Sequence, residues 1–215
     1  SKQCHSASGL RREYSRPLLV RSAYGTPSRV RWSMDRWFFY HGAMVIDPES
    51  LSIVLHPEPA LKTVATTVSE ITDEVIAVAQ RMLDLMTQAE GIGLAAPQVG
   101  LSWRMFVTRH PEGPEVEGGL VFVNPVIEVV DATLEEDIEG CLSLPGIDVL
   151  VRRPIGIRVI ATDLNGDEFT MEWHDHFARV CQHETDHLDG VLIIDRMNTM
   201  DRLRNRKAIR ALEQA

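Results

Sequence analysis

FARVCQHETDHL runs from residue 177 to residue 188 and contains His183-Glu184-Thr185-Asp186-His187. The spacing predicts a helix here: positions i and i+4 stack on one helical face, so both imidazoles can reach a single metal ion. Glu184, beside the first histidine, would stand close enough to a metal-bound water to accept its proton. The competing reading is a solvated helix face with chance spacing, because the helix is polar around these residues. Context has to separate the two.

The number of ligands supplies part of that context. A hydrolytic metal site needs three protein ligands and one position left open for water. In one metalloprotease pattern a Gly follows three residues after the second His, and a third His three residues later. Gly190 meets the first demand, but position 193 is Ile. Glu213, the only glutamate after Glu184, lies near the chain end and is a poor ligand. The better candidate is upstream, in Glu139-Gly140-Cys141-Leu142-Ser143-Leu144-Pro145-Gly146. A Cys141 thiolate with two imidazoles suits Zn²⁺ or Fe²⁺. The bland alternative for a free cysteine is a small buried hydrophobe. That role is assigned to Cys181, which sits two residues before His183 and points to a different helix face, while Cys4 takes no part.

Between residues 101 and 171 the pattern is β-type. Apolar runs at Met105-Phe106-Val107, Leu120 to Val123, Ile127 to Val130 and Ile155 to Ile160 are separated by turn signals at Pro111 to Pro114, Asn124-Pro125 and Asn165-Gly166-Asp167. Asn165-Gly166 predicts a hairpin joining Ile157–Thr162 to Glu168–Trp173. Further upstream, Ile71, Val75, Val78, Ala79, Met82, Leu85, Met86 and Ala89 form one stripe. They predict a helix from about Thr72 to Glu90, with Thr72 as N-cap, Asp73 and Glu74 at the positive end of the dipole, and Gly91 at C′. A last helix is expected over about Thr199 to Glu213. The sum is an α+β fold: antiparallel sheets around a central HExxH-bearing helix, with a helix on its N-terminal side and another at the C-terminus.

The 215 residues are 44% apolar and 25% charged, the balance of a globular protein with a sizeable core. The longest uninterrupted apolar stretch, Val75 to Ala79, is far short of the ~20 residues of a bilayer-crossing helix, so no membrane partner is expected. Three widely spaced cysteines do not read as a disulfide framework and suit a reducing compartment. The net charge of -9 conceals an asymmetry, since residues 1–43 carry eight Lys/Arg against two Asp/Glu. The acidic remainder argues against general nucleic-acid binding, DNA included. Residues 1–43, rich in Ser and Arg, are expected to be a disordered leader: a transit peptide, a plain tail, or translated sequence ahead of a start at Met34 or Met44. The catalytic domain is then 44–215. The expected compartment is the cytoplasm of a bacterium, or a plastid or mitochondrion if the leader directs import.

Three segments in order carry a resemblance: Gly91-Ile92-Gly93-Leu94-Ala95-Ala96-Pro97-Gln98, Glu139-Gly140-Cys141-Leu142-Ser143, and Gln182-His183-Glu184-Thr185-Asp186-His187. With them the chain resembles the peptide deformylase family from about Ile53 to Arg210, including Asn124-Pro125, Arg153-Pro154 and the Leu188-to-Arg196 run. Residues 1–43 lie outside the likeness. The resemblance implies a hydrolase that removes the N-terminal formyl group from formylmethionine of newly synthesised polypeptides and releases formate. It implies one divalent metal ion on Cys141, His183 and His187, typically Fe²⁺, with Zn²⁺, Ni²⁺ or Co²⁺ accepted by the same ligands. Metal-bound hydroxide would attack the formyl carbon with Glu184 as general acid/base. Gln98 and the backbone N–H of Leu142 would bind the developing oxyanion, where losing one donor costs roughly 3–4 kcal/mol.

Ile92, Gly93 and Gly140 fall where the family's substrate peptide lies along the protein backbone, and Ile92 matches a position lining the methionine pocket. His176 departs from the pattern, standing where the family more often has an apolar residue near that pocket. His174 and His176 lie outside the motifs, at a strand-to-helix junction. Arg202, Arg204, Arg206, Lys207 and Arg210 make the terminal helix basic, which is usually just a solvated face. The resemblance suggests contact with the ribosome there. Two other classes compete: a zinc endopeptidase, which would lack its downstream ligand, and a non-enzymatic metal-binding module on the ribosome, which would need neither Glu184 nor Gln98.

Overall fold

The structure is a computed structural model and describes residues 46–111 and 118–214. The leader and Cys4 lie outside the described residues. The main elements are α1 (Asp73–Gln88), β1 (Gly93–Ala95), β2 (Met105–Arg109), β3 (Gly119–Glu139), β4 (Val149–Thr162), β5 (Glu168–His174), α2 (Asp175–Leu188) and α3 (Thr199–Leu212). The fold is α+β, and the strands form one antiparallel five-stranded sheet in the order β1-β2-β3-β4-β5.

Strand β2 shows why α1 and α2 occupy opposite faces of this sheet. Successive side chains of a strand point to opposite faces. Met105 and Val107 pack with Val78, Met82 and Met86 of α1. Phe106, between them, joins Phe122 and Ile157 against Ala178, Cys181 and Leu188 of α2. The Phe106 and Phe122 rings stack at 4.6 Å, and full burial of each such side chain is worth about 1.5–3 kcal/mol. Cys181 is wholly buried in this second cluster, as its place in the sequence suggested.

Helix α1 begins as expected, with the Thr72 hydroxyl accepting from Val75 N at 3.3 Å. Its end differs from expectation. Glu90, not Gly91, takes the left-handed conformation (φ 56°), and Gly91 N donates to Met86 O at 2.9 Å. Gly91 packs closely instead: a Cβ there would lie 2.7 Å from Leu142 Cδ1, so that side chain would have to shift.

Strand β3 also differs. Two runs separated by Asn124-Pro125 form a single strand of 21 residues. Asn124 does adopt φ 52°, but its side chain accepts from Val68 N at 2.9 Å and donates to Val68 O at 2.8 Å. That pairing turns the break into a bulge, seen as a register shift between Val123 and Val126. The C-terminal half of β3 is acidic and gave no alternation to read. It is a strand because it pairs continuously with β4 from Leu134 opposite Pro154 to Glu139 opposite Val149, and the Arg153 guanidinium of β4 reaches Glu139 at its end.

The hairpin β3–β4 positions the site. Its loop, residues 140–148, carries Cys141 and is anchored by Leu144 and Ile147 in a third cluster with Leu61, Leu192 and Ile193. Helix α3 clamps the loop from behind, where Asp201 accepts from Leu150 N at 3.2 Å and Asn205 donates to Asp148 O at 2.9 Å. Among the described residues no helix is long and apolar enough to cross a membrane.

Candidate active site

Cys141, His183 and His187 converge at one point although 42 or more residues of chain separate the loop from the helix. Helix α2 sets the two rings on one face, edge to face with centroids 5.0 Å apart, and the β3–β4 loop brings Cys141 Sγ to 3.3 Å from His187 Nε2. One ligand atom from each residue lies within 4.8 Å of the others. Metal–sulfur and metal–nitrogen bonds of ~2.3 and ~2.0 Å at tetrahedral angles set their ends roughly 3.5 Å apart, so this triad fits a divalent ion.

His183 presents Nδ1 to Glu139 Oε2 at 3.0 Å, leaving Nε2 for coordination, the usual arrangement of a metal-ligating imidazole. Glu139 is itself held by Arg153, whose Nε and Nη2 donate to its two oxygens at 2.6 and 2.8 Å, and by Arg179 Nη1 at 2.8 Å. Burial alone would raise the Glu139 pKa, but hydrogen bonds from Arg153 and His183 outweigh it and keep the carboxylate ionised well below its ordinary range. Burial likewise works against a charged His183, yet its bonds to Cys141 and Glu139 carry its pKa up to about 10 without metal. Burial and the neighbouring His183 charge hold His187 far below the ordinary imidazole value.

The sign of the Glu139 shift yields a prediction. A carboxylate with a depressed folded-state pKa contributes stability that is complete above its unfolded value, here 4.5, and is lost as the pH falls below it. The urea midpoint of the protein is expected to drop between pH 5 and pH 3, and to drop less in Glu139→Gln. Equal acid sensitivity of the two proteins would refute the assignment.

Glu184 lies beside the triad, only 4% exposed. Burial pushes its pKa up to about 7 against the charges of His183 and Arg153, where a group can both accept and return a proton near neutrality. Its Oε2 is buried without a hydrogen-bond partner. Gly93 makes room for it: a Cβ at 93 would lie 2.3 Å from Glu184 Oε1 and 2.7 Å from Cδ. Gly93→Ala is therefore expected to displace this carboxylate and lower kcat/KM by about 10²-fold, the scale of a ~1 Å misplacement, with little change in melting temperature. An activity within threefold of wild type would count against it.

Gln98 is 1% exposed. Its Oε1 accepts from Ala95 N at 2.8 Å, and its Nε2 donates to Ser143 Oγ at 3.3 Å and lies 3.5 Å from Cys141 Sγ. A cleft of about 400 Å³ opens above the triad, and Ile92, Gly93, Gly140 and Leu142 line it together with Gln98, Cys141, His183 and Glu184. His187 lies beneath, 1% exposed. His176 is exposed at the cleft wall, whereas His174 is not among the lining residues. The supporting residues Arg153, Arg179 and Ser143 received no role from the sequence. Only Arg179 carried a usable signal, standing four residues before His183 and so on the same face.

The family model described as polypeptide deformylase matches residues 50–203. Peptide deformylase 2 of Gloeobacter violaceus is 50% identical over 132 residues, spanning 60% of this chain and 70% of that one. A peptide deformylase of Saccharophagus degradans is 40% identical over 159 residues, spanning 74% and 91%. Among solved structures, Arabidopsis thaliana peptide deformylase 1B in complex with an inhibitor superposes with a TM-score of 0.72 at 36% identity, over 76% of this chain and 91% of the other. A Plasmodium falciparum peptide deformylase gives 0.72 at 35% identity, over 76% and 95%. With the triad, the cleft and this breadth of similarity, the chain belongs to the polypeptide deformylase family.

Proposed function

We propose that this protein hydrolyses the N-terminal formamide of formylmethionyl peptides on new polypeptides, releasing formate and a free amine, with Glu184 as the proton carrier. The observation behind this is the meeting of Cys141, His183 and His187 beneath a cleft into which the buried Glu184 carboxylate also faces. A divalent ion held by those three residues, Fe²⁺ in this proposal, supplies Lewis acidity and an acidified water. Glu184 takes the proton shed as the C–O bond forms and passes it to the amine as the C–N bond breaks. Gln98 Nε2 and the Leu142 N–H donate to the carbonyl oxygen as it gains negative charge. Gly93 and Gly140 let an extended peptide backbone approach, while Ile92 offers apolar surface to the methionine side chain.

The test uses formyl-Met-Ala-Ser and an N-acetylated peptide with internal bonds only, on anaerobically purified protein whose metals are quantified. Formate release from the first alone, with roughly one iron per chain, is the expected result. Cleavage of internal amides alone would make the protein an endopeptidase. Ribosome contact through α3 belongs to this proposal, supported by the exposed Arg202, Arg204, Arg206, Lys207 and Arg210. Co-sedimentation with ribosomes should fall steeply with salt, and its absence at low salt would remove the contact. The compartment proposed is the bacterial cytoplasm, with plastid or mitochondrion as the alternative. Import of a full-length fusion by isolated organelles distinguishes them.

A further inference from the structure

Glu139 receives four hydrogen bonds, which fill the roughly four acceptor sites of a carboxylate. Oε1 takes Arg153 Nε and Arg179 Nη1; Oε2 takes Arg153 Nη2 and His183 Nδ1. The two arginines differ in what else they hold. Arg153 comes from β4 and shares its Nη1 with Asp186 at 2.8 Å, whose carboxylate also pairs with Arg196. It is drawn in two directions. Arg179 contacts no second carboxylate among these groups. Its Nη1 also donates to Val151 O at 2.8 Å and its Nη2 to Glu135 O at 2.9 Å, on β4 and β3.

Arg179 also stands on α2, one turn before His183. The path Arg179–Glu139–His183 therefore closes on a single helix through a guanidinium of that helix itself, whereas Arg153 belongs to β4 and reaches α2 only through Asp186, which it shares with Arg196. These side chains are 8%, 5% and 12% exposed, so little water is at hand to replace a lost donor. Without the Arg179 fork, Oε1 loses a donor, two strand carbonyls lose their partner, and Arg153 is the one guanidinium left to hold Glu139.

We propose that Arg179 is a positioning residue for metal uptake: it holds Glu139 where the carboxylate accepts from His183 Nδ1 and leaves Nε2 facing Cys141. This rests on the reading of Cys141, His183 and His187 as the metal ligands. Arg179 also lines the cleft, but the role assigned to it here runs through Glu139.

The test is Co²⁺ titration of chelator-stripped protein, followed by visible absorption, for wild type, R179M, R179K, E139Q and the R179M/E139Q pair. Groups that orient a ligating imidazole are typically worth 10–100-fold in metal affinity. R179M is expected to weaken Co²⁺ binding by about that factor, with altered d–d bands, and R179K to recover part of the loss. Because Arg179 acts through Glu139, the double variant should bind no more than about threefold worse than E139Q. A merely structural role would lower the melting temperature but leave the spectrum unchanged and the losses multiplicative. If R179M does not fold, R179K alone decides, and wild-type affinity in it overturns the proposal. Wild type binding Co²⁺ with R179M equal to it within twofold overturns the role of Arg179 alone. A wild type that takes up no Co²⁺ overturns the ligand assignment beneath it as well.

Discussion

Replacing Glu184 with alanine is expected to leave metal content at the wild-type level while kcat falls by about 10²–10⁴-fold, the usual worth of a positioned acid/base. The two halves of that result come from different parts of the site. Metal retention follows because His183 is oriented by Glu139 at 3.0 Å and His187 is met by Cys141 at 3.3 Å, neither through Glu184. Loss of turnover follows because the carboxylate is buried with Oε2 unpartnered and has its pKa raised by burial to about 7. Glu184→Gln preserves the shape against Gly93 but cannot carry a proton, and should lose nearly as much as alanine. Elemental analysis and steady-state deformylation on the same samples decide the matter. A glutamine variant retaining more than a tenth of wild-type kcat would mean that the proton travels by another group.

Cys141→Ala should weaken metal binding by more than about 10²-fold, because even a partner one bond removed from the ion is worth 10–100-fold. The thiolate is the ligand brought from outside the helix. Without it two histidines on one turn remain, short of the three protein ligands that a hydrolytic site uses. The fold should survive, since the loop is pinned by Leu144 and Ile147 and by α3, through Asp201 and Asn205. The informative comparison is therefore metal occupancy against an unchanged far-UV circular dichroism spectrum. Full occupancy in this variant would take Cys141 out of the ligand set and with it the proposed centre.

Local order was easy to read wherever one residue decided a local geometry. Thr72 before an apolar stripe marked the start of α1, and Asn165-Gly166 marked the β4–β5 hairpin, where Gly166 indeed adopts φ 87°. The reading failed where a distant partner settled the outcome. Asn124-Pro125 looked like a turn, yet Val68, 56 residues away, satisfies the Asn124 side chain and the strand runs on. The acidic half of β3 has no apolar alternation, and its pairing with β4 from Leu134 to Glu139 makes a strand of it. At the end of α1 the left-handed turn falls at Glu90, where Gly91 N closes the helix on Met86 O, and Leu142 packs against residue 91.

The same division runs through the candidate site. An i, i+4 pair of histidines with a glutamate between them follows from helical periodicity, so chain order alone determined that His183, Glu184 and His187 would share a helix. Periodicity says nothing about contacts between elements. The tertiary structure decided that Cys141 lies 3.3 Å from His187 across 46 residues of chain. It also decided that Arg153 and Arg179 converge on Glu139 from a strand and a helix. Those contacts arise from the packing of the β3–β4 hairpin against α2. Burial there makes ion pairing obligatory and sets which nitrogen of His183 is left for the metal.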